Sequence, residues 1–344
     1  MNIQQLIREN IRQLKPYSSA RDEFTGVADI YLDANENPFE SEVNRYPDPY
    51  QRELKNKVAA LKKVPVENIF LGNGSDEAID LLIRIFCEPK EDEIIILPPT
   101  YGMYAVSAAI ANVNIKEISL TNNLQPNTKS ILATANANTK LLFLCSPNNP
   151  TGNNFDPKII RTLIENFTGI VVVDEAYIDF STQESCTQWL QEYPNLVVLQ
   201  TFSKAWGLAG IRLGMAFAST EIITLFNKVK PPYNINQLTQ NAAHQALDDT
   251  ASFQSKLDYL IQQRSWLKNA LSQLHEVEKI YPSNTNFLLV KIKDCNTLFE
   301  HLTQQKIIVR NRSKVHLCEG CLRFTVGTAE ENKRLIKEIQ LFFS

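Results

Sequence analysis

The sequence predicts an α/β protein: a large domain with a mostly parallel, helix-covered sheet, followed by a smaller C-terminal α/β domain. Three observations predict it. Near-continuous apolar runs recur at 93–97, 141–145, 170–174, 196–200 and 213–218, a pattern that suits strands buried on both faces. Helix-like segments separate several of them, which argues for strand–helix alternation and a parallel sheet. After about residue 245 the pattern changes to one long helical stretch followed by shorter strands and helices.

In chain order, residues 3–14 read as a helix and the rest of the first 30 as an irregular arm. A helix over 75–87 follows the glycine turn at Gly72 and Gly74, and a strand over 93–97 leads into the Pro98 loop. The polar stretch 122–138 reads as a loop and helix. Strand 141–145 ends at the Ser146 loop, and a helix over 156–166 starts at an Asp-Pro pair. Strands 170–174 and 196–200 end on Asp174 and Gln200. The C-terminal part reads as helix 252–274, strand 286–293, a short helix around Leu298, strands 306–310 and 322–326, and a closing helix 329–343. The expected division is an arm at 1–30, a large domain at 31–245 and a small one at 246–344. Ligands of such sheets sit beyond the carboxyl ends of the strands.

With 344 residues, 44% hydrophobic and 21% charged, the chain has the composition of an ordinary globular protein. A net charge of -3 without a basic tail excludes nucleic acid and acidic membrane surfaces as expected partners. No apolar run approaches the roughly 20 residues that span a bilayer, and the first residues lack an apolar signal core. A cytoplasmic location is expected. The six scattered cysteines form no disulfide framework, and Cys318-Glu-Gly-Cys321 lacks the second pair that a zinc site needs. The four histidines include no pair at metal-ligand spacing, so no metal is expected.

The most informative stretch is Thr201-Phe-Ser-Lys204-Ala-Trp-Gly-Leu-Ala-Gly-Ile-Arg212. Its lysine, in a glycine-spaced turn, can form a Schiff base with an aldehyde, while Ser203 and Arg212 can hold an anionic phosphate beside it. Leu71-Gly-Asn-Gly-Ser75-Asp76 opens a helix whose first N–H groups would favour an anion. Ser75 also fits a plain helix cap. Tyr101, after the strand at 93–97, could stack on a planar ring or fill a turn. Ser146-Pro-Asn-Asn149-Pro-Thr-Gly152 has two prolines that leave Asn149 presenting its amide. In Asp174-Glu-Ala-Tyr177 an acid ends a strand, suited to a pyridinium nitrogen or to a buried ion pair. Eight of the 11 glycines fall in these and neighbouring motif segments.

Taken in order, these segments resemble the fold-type I pyridoxal-phosphate transferases over nearly the whole chain, and within them the histidinol-phosphate aminotransferases. Asp33-Ala-Asn-Glu-Asn37-Pro38, Asn44-Arg-Tyr46-Pro47 and Cys321-Leu-Arg323-Phe-Thr-Val-Gly-Thr328 carry the closer similarity. The resemblance implies a homodimeric enzyme using pyridoxal 5'-phosphate, with L-histidinol phosphate and 2-oxoglutarate giving imidazole-acetol phosphate and glutamate in histidine biosynthesis. It implies Lys204 as the catalytic, cofactor-bearing lysine. Ser75, Asp76, Tyr101, Asn149, Asp174, Tyr177, Ser203 and Arg212 would hold the cofactor, and Tyr46 would reach the cofactor phosphate of the other subunit. Tyr17, in an arm running to Arg21, and Asn37 would touch substrate, and Arg310 and Arg323 would clamp its anionic end. Aromatic amino-acid aminotransferases and threonine-phosphate decarboxylases share the cofactor residues and remain alternatives. A cofactor-sensing transcription regulator on this fold would need a basic DNA-binding domain ahead of a core that only about 30 residues precede here.

Overall fold

The larger of two sheets is built from β1 (Ile69–Asn73), β2 (Glu93–Ile96), β3 (Asn114–Glu117), β4 (Thr139–Cys145), β5 (Ile170–Asp174), β6 (Leu196–Thr201) and β7 (Leu213–Ala218). Their spatial order is β1-β7-β6-β5-β4-β2-β3. The computed structural model describes residues 2–17 and 28–344. Strands β2 to β6 pair in parallel, whereas β7 runs against both β6 and β1. The sheet is therefore mixed, though mostly parallel. The reversal has a local cause: the short segment between β6 and β7 carries no crossover helix, and parallel neighbours need a connection of a dozen or more residues. That same segment holds Lys204.

Strands β5, β6 and β7 are buried at every residue, which explains their unbroken apolar runs. Val172 packs into one layer with helices α3 (Ser75–Phe86), α4 (Met103–Ile110) and α7 (Thr220–Val229). Val171 and Val173 face the opposite layer, with α2 (Arg52–Lys62), α6 (Pro157–Asn166) and α8 (Gln237–Asp248). Alternation along the strand thus divides one apolar run between two cores. A short helix α5 (Thr128–Thr134) adds Ile131 to the second layer.

The second sheet is antiparallel and has four strands in the order β10-β11-β9-β8. They are β8 (Val277–Ile280), β9 (Phe287–Ile292), β10 (Arg310–Asn311) and β11 (Cys321–Thr325). Helices α9 (Thr250–Leu271), α10 (Cys295–Gln304) and α11 (Ala329–Phe343) cover it around Leu288, Val290, Leu322 and Phe324. Helix α11 starts at a capping box in which Thr328 and Glu331 satisfy each other's backbone N–H groups.

Two expected elements differ. The helix expected over 3–14 is a 3-10 turn, Ile3–Gln5, followed by α1 (Glu9–Gln13). The break lies where Arg8 turns to the large domain, its N–H bonding the Ile85 carbonyl at 3.0 Å and its guanidinium pairing with Glu88 at 2.9 Å. Ile3, Ile7 and Ile11 are nonetheless all buried, so the four-residue spacing reports the apolar face correctly. The strand expected over 306–310 shrinks to Arg310–Asn311, because Lys306 takes a left-handed backbone (φ 60°) and Ile308 is 79% exposed. Strands β1, β3 and β8 are short, and none stands out in the sequence as a long apolar run.

Candidate active site

A cavity of ≈ 660 Å³ opens where the carboxyl ends of β4, β5 and β6 meet β10 and β11 of the small sheet. Eleven of the fourteen expected site residues line it: Ser75, Asp76, Tyr101, Asn149, Asp174, Tyr177, Ser203, Lys204, Arg212, Arg310 and Arg323.

One end is an anion cradle. Gly74 precedes α3 with φ 73°, and no side chain caps the helix, so its first N–H groups open toward the cavity. Ser75 is the first helical residue rather than the cap. A Cβ at Gly74 would stand 2.6 Å from Arg212 Nη2 and would strain a backbone at φ 73°, so glycine keeps the Arg212 guanidinium close to the start of α3. Arg212 lies 3.5 Å from Ser203 Oγ and 3.5 Å from Asp76 Oδ2. Arg212 also adopts a left-handed backbone (φ 53°), an uncommon conformation for a side-chain-bearing residue and one concentrated at functional sites. The glycine spacing of β7 matters as well: a Cβ at Gly214 would come within 2.1 Å of the Ser75 nitrogen.

At the cavity floor Asp174 ends β5 and is only 3% exposed. Its Oδ2 accepts from the Tyr104 hydroxyl at 2.6 Å and its Oδ1 from the Ala176 N–H at 3.1 Å. Burial pushes its carboxyl pKa up, and these two donors draw it partly back. Among the described residues no cation forms an ion pair with it. Tyr104 is fully buried and stacks on Phe143 at 4.6 Å, so the donor is held rigidly. Sequence reasoning missed Tyr104; the signal was its place one helical turn beyond Tyr101. Tyr101 donates to Asp76 Oδ1 at 3.1 Å and meets Tyr104 edge-on at 5.6 Å.

Lys204 sits between these ends with Nζ 5.7 Å from the Tyr177 ring centre. Among the described residues its Nζ makes no hydrogen bond or ion pair, while its carbonyl accepts from the Gly207 N–H at 3.1 Å. Burial first, then the Arg323 guanidinium, pushes its ammonium pKa down. Beyond it, Arg323 lies over the Phe287 ring at 5.0 Å and donates through Nη1 to Asn149 Oδ1. Glu319 pairs with neither Arg310 nor Arg323: it faces His316 at 3.8 Å and accepts from the Leu317 N–H.

The remaining three expected residues lie elsewhere. Tyr46 is half-exposed, stacked on Tyr233 at 4.4 Å, beside a second cavity lined by Glu36, Arg45 and Asn236. Asn37 is exposed, and its Oδ1 accepts from the Phe39 N–H at 2.9 Å. Tyr17 is 71% exposed, and the arm expected beyond it, 18–21, lies outside the described residues. None of the three lines the main cavity of its own chain.

The donor set fits pyridoxal phosphate. Gly74, Ser75, Ser203 and Arg212 line one end of the cavity, Asp174 is a buried acid without a cation, and Lys204 brings an unpaired amine to the same cavity. The family model described as aminotransferase class I and II matches residues 28–339. A histidinol-phosphate aminotransferase of Cytophaga hutchinsonii is 51% identical over 345 residues, 99% of each chain. One from Flavobacterium johnsoniae is 52% identical over 343 residues, 99% of this chain and 98% of its own. Among solved structures, histidinol-phosphate aminotransferase from Sinorhizobium meliloti in complex with pyridoxal-5'-phosphate superposes with a TM-score of 0.79 at 20% identity. The match covers 88% of this chain and 84% of that one.

Proposed function

Because the chain belongs to the class I and II aminotransferases, we propose that it exchanges an amino group between L-histidinol phosphate and 2-oxoglutarate. The products are imidazole-acetol phosphate and glutamate, and the cofactor is pyridoxal phosphate. What carries the reading is one cavity with an anion cradle at one end, guanidinium groups at the other and an unpaired lysine between. Relatives of about 50% identity over the full length carry this activity in their names.

When bound, the cofactor supplies an aldehyde that joins the substrate amine and a ring that accepts the electron pair released at the substrate Cα. The residues of the chain do the rest. Ser203, Arg212 and the first N–H groups of α3 hold the cofactor phosphate. Asp174, steadied by Tyr104, keeps a negative charge against the ring nitrogen. Lys204, with its ammonium disfavoured by burial, takes the proton from the substrate Cα. Arg323 and Arg310 bind the anion at the far end of the substrate. Guanidinium groups suit both partners, because phosphate and carboxylate each accept a bidentate fork.

Arg323→Ala is expected to lose at least about 2 kcal/mol of kcat/KM for histidinol phosphate. The loss for dephosphorylated histidinol, which lacks the anion, should be much smaller. Steady-state rates with the two amines and with phenylalanine and tyrosine check this. An equal loss for both amines would assign Arg323 to the fold or cofactor, and a preference for the aromatic amino acids would replace the substrate.

The active unit in this reading is a cytoplasmic homodimer. Leu32 at 89% and Phe39 at 81% exposure lie on the same stretch as Tyr46, an apolar surface that a second copy would cover. Six buried, unpaired cysteines support a reducing compartment, and among the described residues no helix is long and apolar enough to cross a membrane. Mixing Tyr46→Phe chains with Lys204→Ala chains is expected to restore one working site per heterodimer. Activity no higher than either parent after demonstrated subunit exchange would place Tyr46 outside the partner's site.

A further inference from the structure

Three guanidinium groups, not two, face the far end of the cavity: Arg310, Arg323 and Arg312. Arg310 stands directly opposite Arg323 in the β10–β11 register, an arrangement in which like charges repel. Arg312 follows two residues after Arg310, which puts it on the same face of the strand, and its N–H bonds the Cys321 carbonyl at 2.9 Å. Among the described residues no carboxylate pairs with any of the three. Arg312 Nε is buried without a hydrogen-bond partner, as is Arg323 Nε. Burial and the two neighbouring arginines lower the Arg312 pKa, so the cluster favours whatever brings negative charge.

The backbone that presents Arg312 is held on both sides. Asn311 donates to Asn296 Oδ1 at 2.9 Å and accepts from the Ser313 N–H at 2.8 Å, and Ser313 Oγ donates to the same Asn296 oxygen at 2.8 Å. The Val315 N–H closes the turn on the Arg312 carbonyl at 2.9 Å. A side chain on so anchored a turn is set in place before substrate arrives, which reduces the ordering cost of binding.

Two guanidinium forks suffice for one carboxylate. A phosphate monoester carries a second charge and a third terminal oxygen. We propose that Arg312 is the residue by which this enzyme selects substrates ending in a phosphate dianion over those ending in a single charge or none. The inference rests on the histidinol-phosphate reading above and adds to the Arg310–Arg323 pair a third donor that neutralises the second charge.

The test uses the holoenzyme and its Arg312→Gln and Arg312→Lys variants, each first shown to melt like the parent. Two quantities are measured: the ratio of kcat/KM for histidinol phosphate to that for histidinol, and the inhibition constant of inorganic phosphate against histidinol. For Arg312→Gln the ratio is expected to fall about tenfold and the phosphate constant to rise about tenfold, the size of one charged hydrogen bond. Arg312→Lys keeps the charge but not the fork, so it should fall between, about threefold, and it decides the matter if the glutamine variant does not fold. An unchanged ratio with an unchanged phosphate constant overturns the proposal, as does an equal loss on both amines. Should the parent enzyme itself not prefer histidinol phosphate, the substrate reading fails instead, and the phosphate constant alone then judges Arg312.

Discussion

Replacing Lys204 with alanine is expected to abolish transamination and, with it, the covalent attachment of cofactor that borohydride makes permanent. The expected loss is at least about four orders of magnitude in kcat, since in the proposed reading the residue serves both as attachment point and as proton acceptor. Among the described residues no other lysine lines the cavity. Borohydride treatment followed by mass spectrometry of the peptide spanning Lys204 reads the attachment independently of turnover. Cofactor still trapped on the alanine variant would overturn the assignment. A pH signature accompanies it. Burial and Arg323 lower the Lys204 pKa, so the neutral, reactive amine persists to lower pH than on an exposed lysine. The rate at which cofactor-free protein captures pyridoxal phosphate should therefore rise with a midpoint below that of an exposed lysine. Arg323→Gln, which removes a nearby positive charge, should move that midpoint up.

Asp174→Asn is expected to leave cofactor bound while turnover falls by about a hundredfold or more. Asparagine keeps the shape and accepts the Tyr104 hydrogen bond, but it cannot hold charge against the ring nitrogen. A near-normal kcat would make Asp174 structural. The same substitution has a stability readout of opposite sign. Burial raises the Asp174 pKa in the folded, cofactor-free chain. A carboxyl with a raised folded-state pKa contributes stability that is present below its unfolded value and lost as pH rises through the raised one. Above that window the wild-type acid weighs against folding, and the neutral amide does not. Cofactor-free Asp174→Asn should then melt higher than cofactor-free wild type at alkaline pH, with the difference closing on acidification. Scanning calorimetry across pH measures it.

Much of the site was readable from the chain because its parts are local. Lys204 and Arg212 lie in one short return between two strands, and Asp174 and the Ser146–Gly152 loop each follow an apolar run. Local spacing carries that information, so cradle, acid and lysine could be named before their distances were known. The Tyr104–Asp174 bond could not, because it joins α4 to the end of β5, 70 residues further along the chain. Arg312 was passed over for a similar reason: a basic residue in a polar turn looks like solvated surface until the turn is seen to close on the cavity. The continuous helix expected over 3–14 failed because Arg8 answers to Glu88 and the Ile85 carbonyl, partners its own segment does not contain.

By itself, then, the sequence determined the kinds of element, their buried faces and the chemistry offered at strand ends, since periodicity and turn residues act within a few positions of one another. The tertiary structure alone decided that β7 lies between β6 and β1, a strand from much earlier in the chain, bringing Gly214 against Ser75. It alone brought Arg310, Arg312 and Arg323 of the small sheet to face Lys204 of the large one. Those outcomes turn on which faces find each other when two apolar layers and a second sheet are buried together. That choice is made by packing over long separations in the chain, to which no local pattern of residues is sensitive.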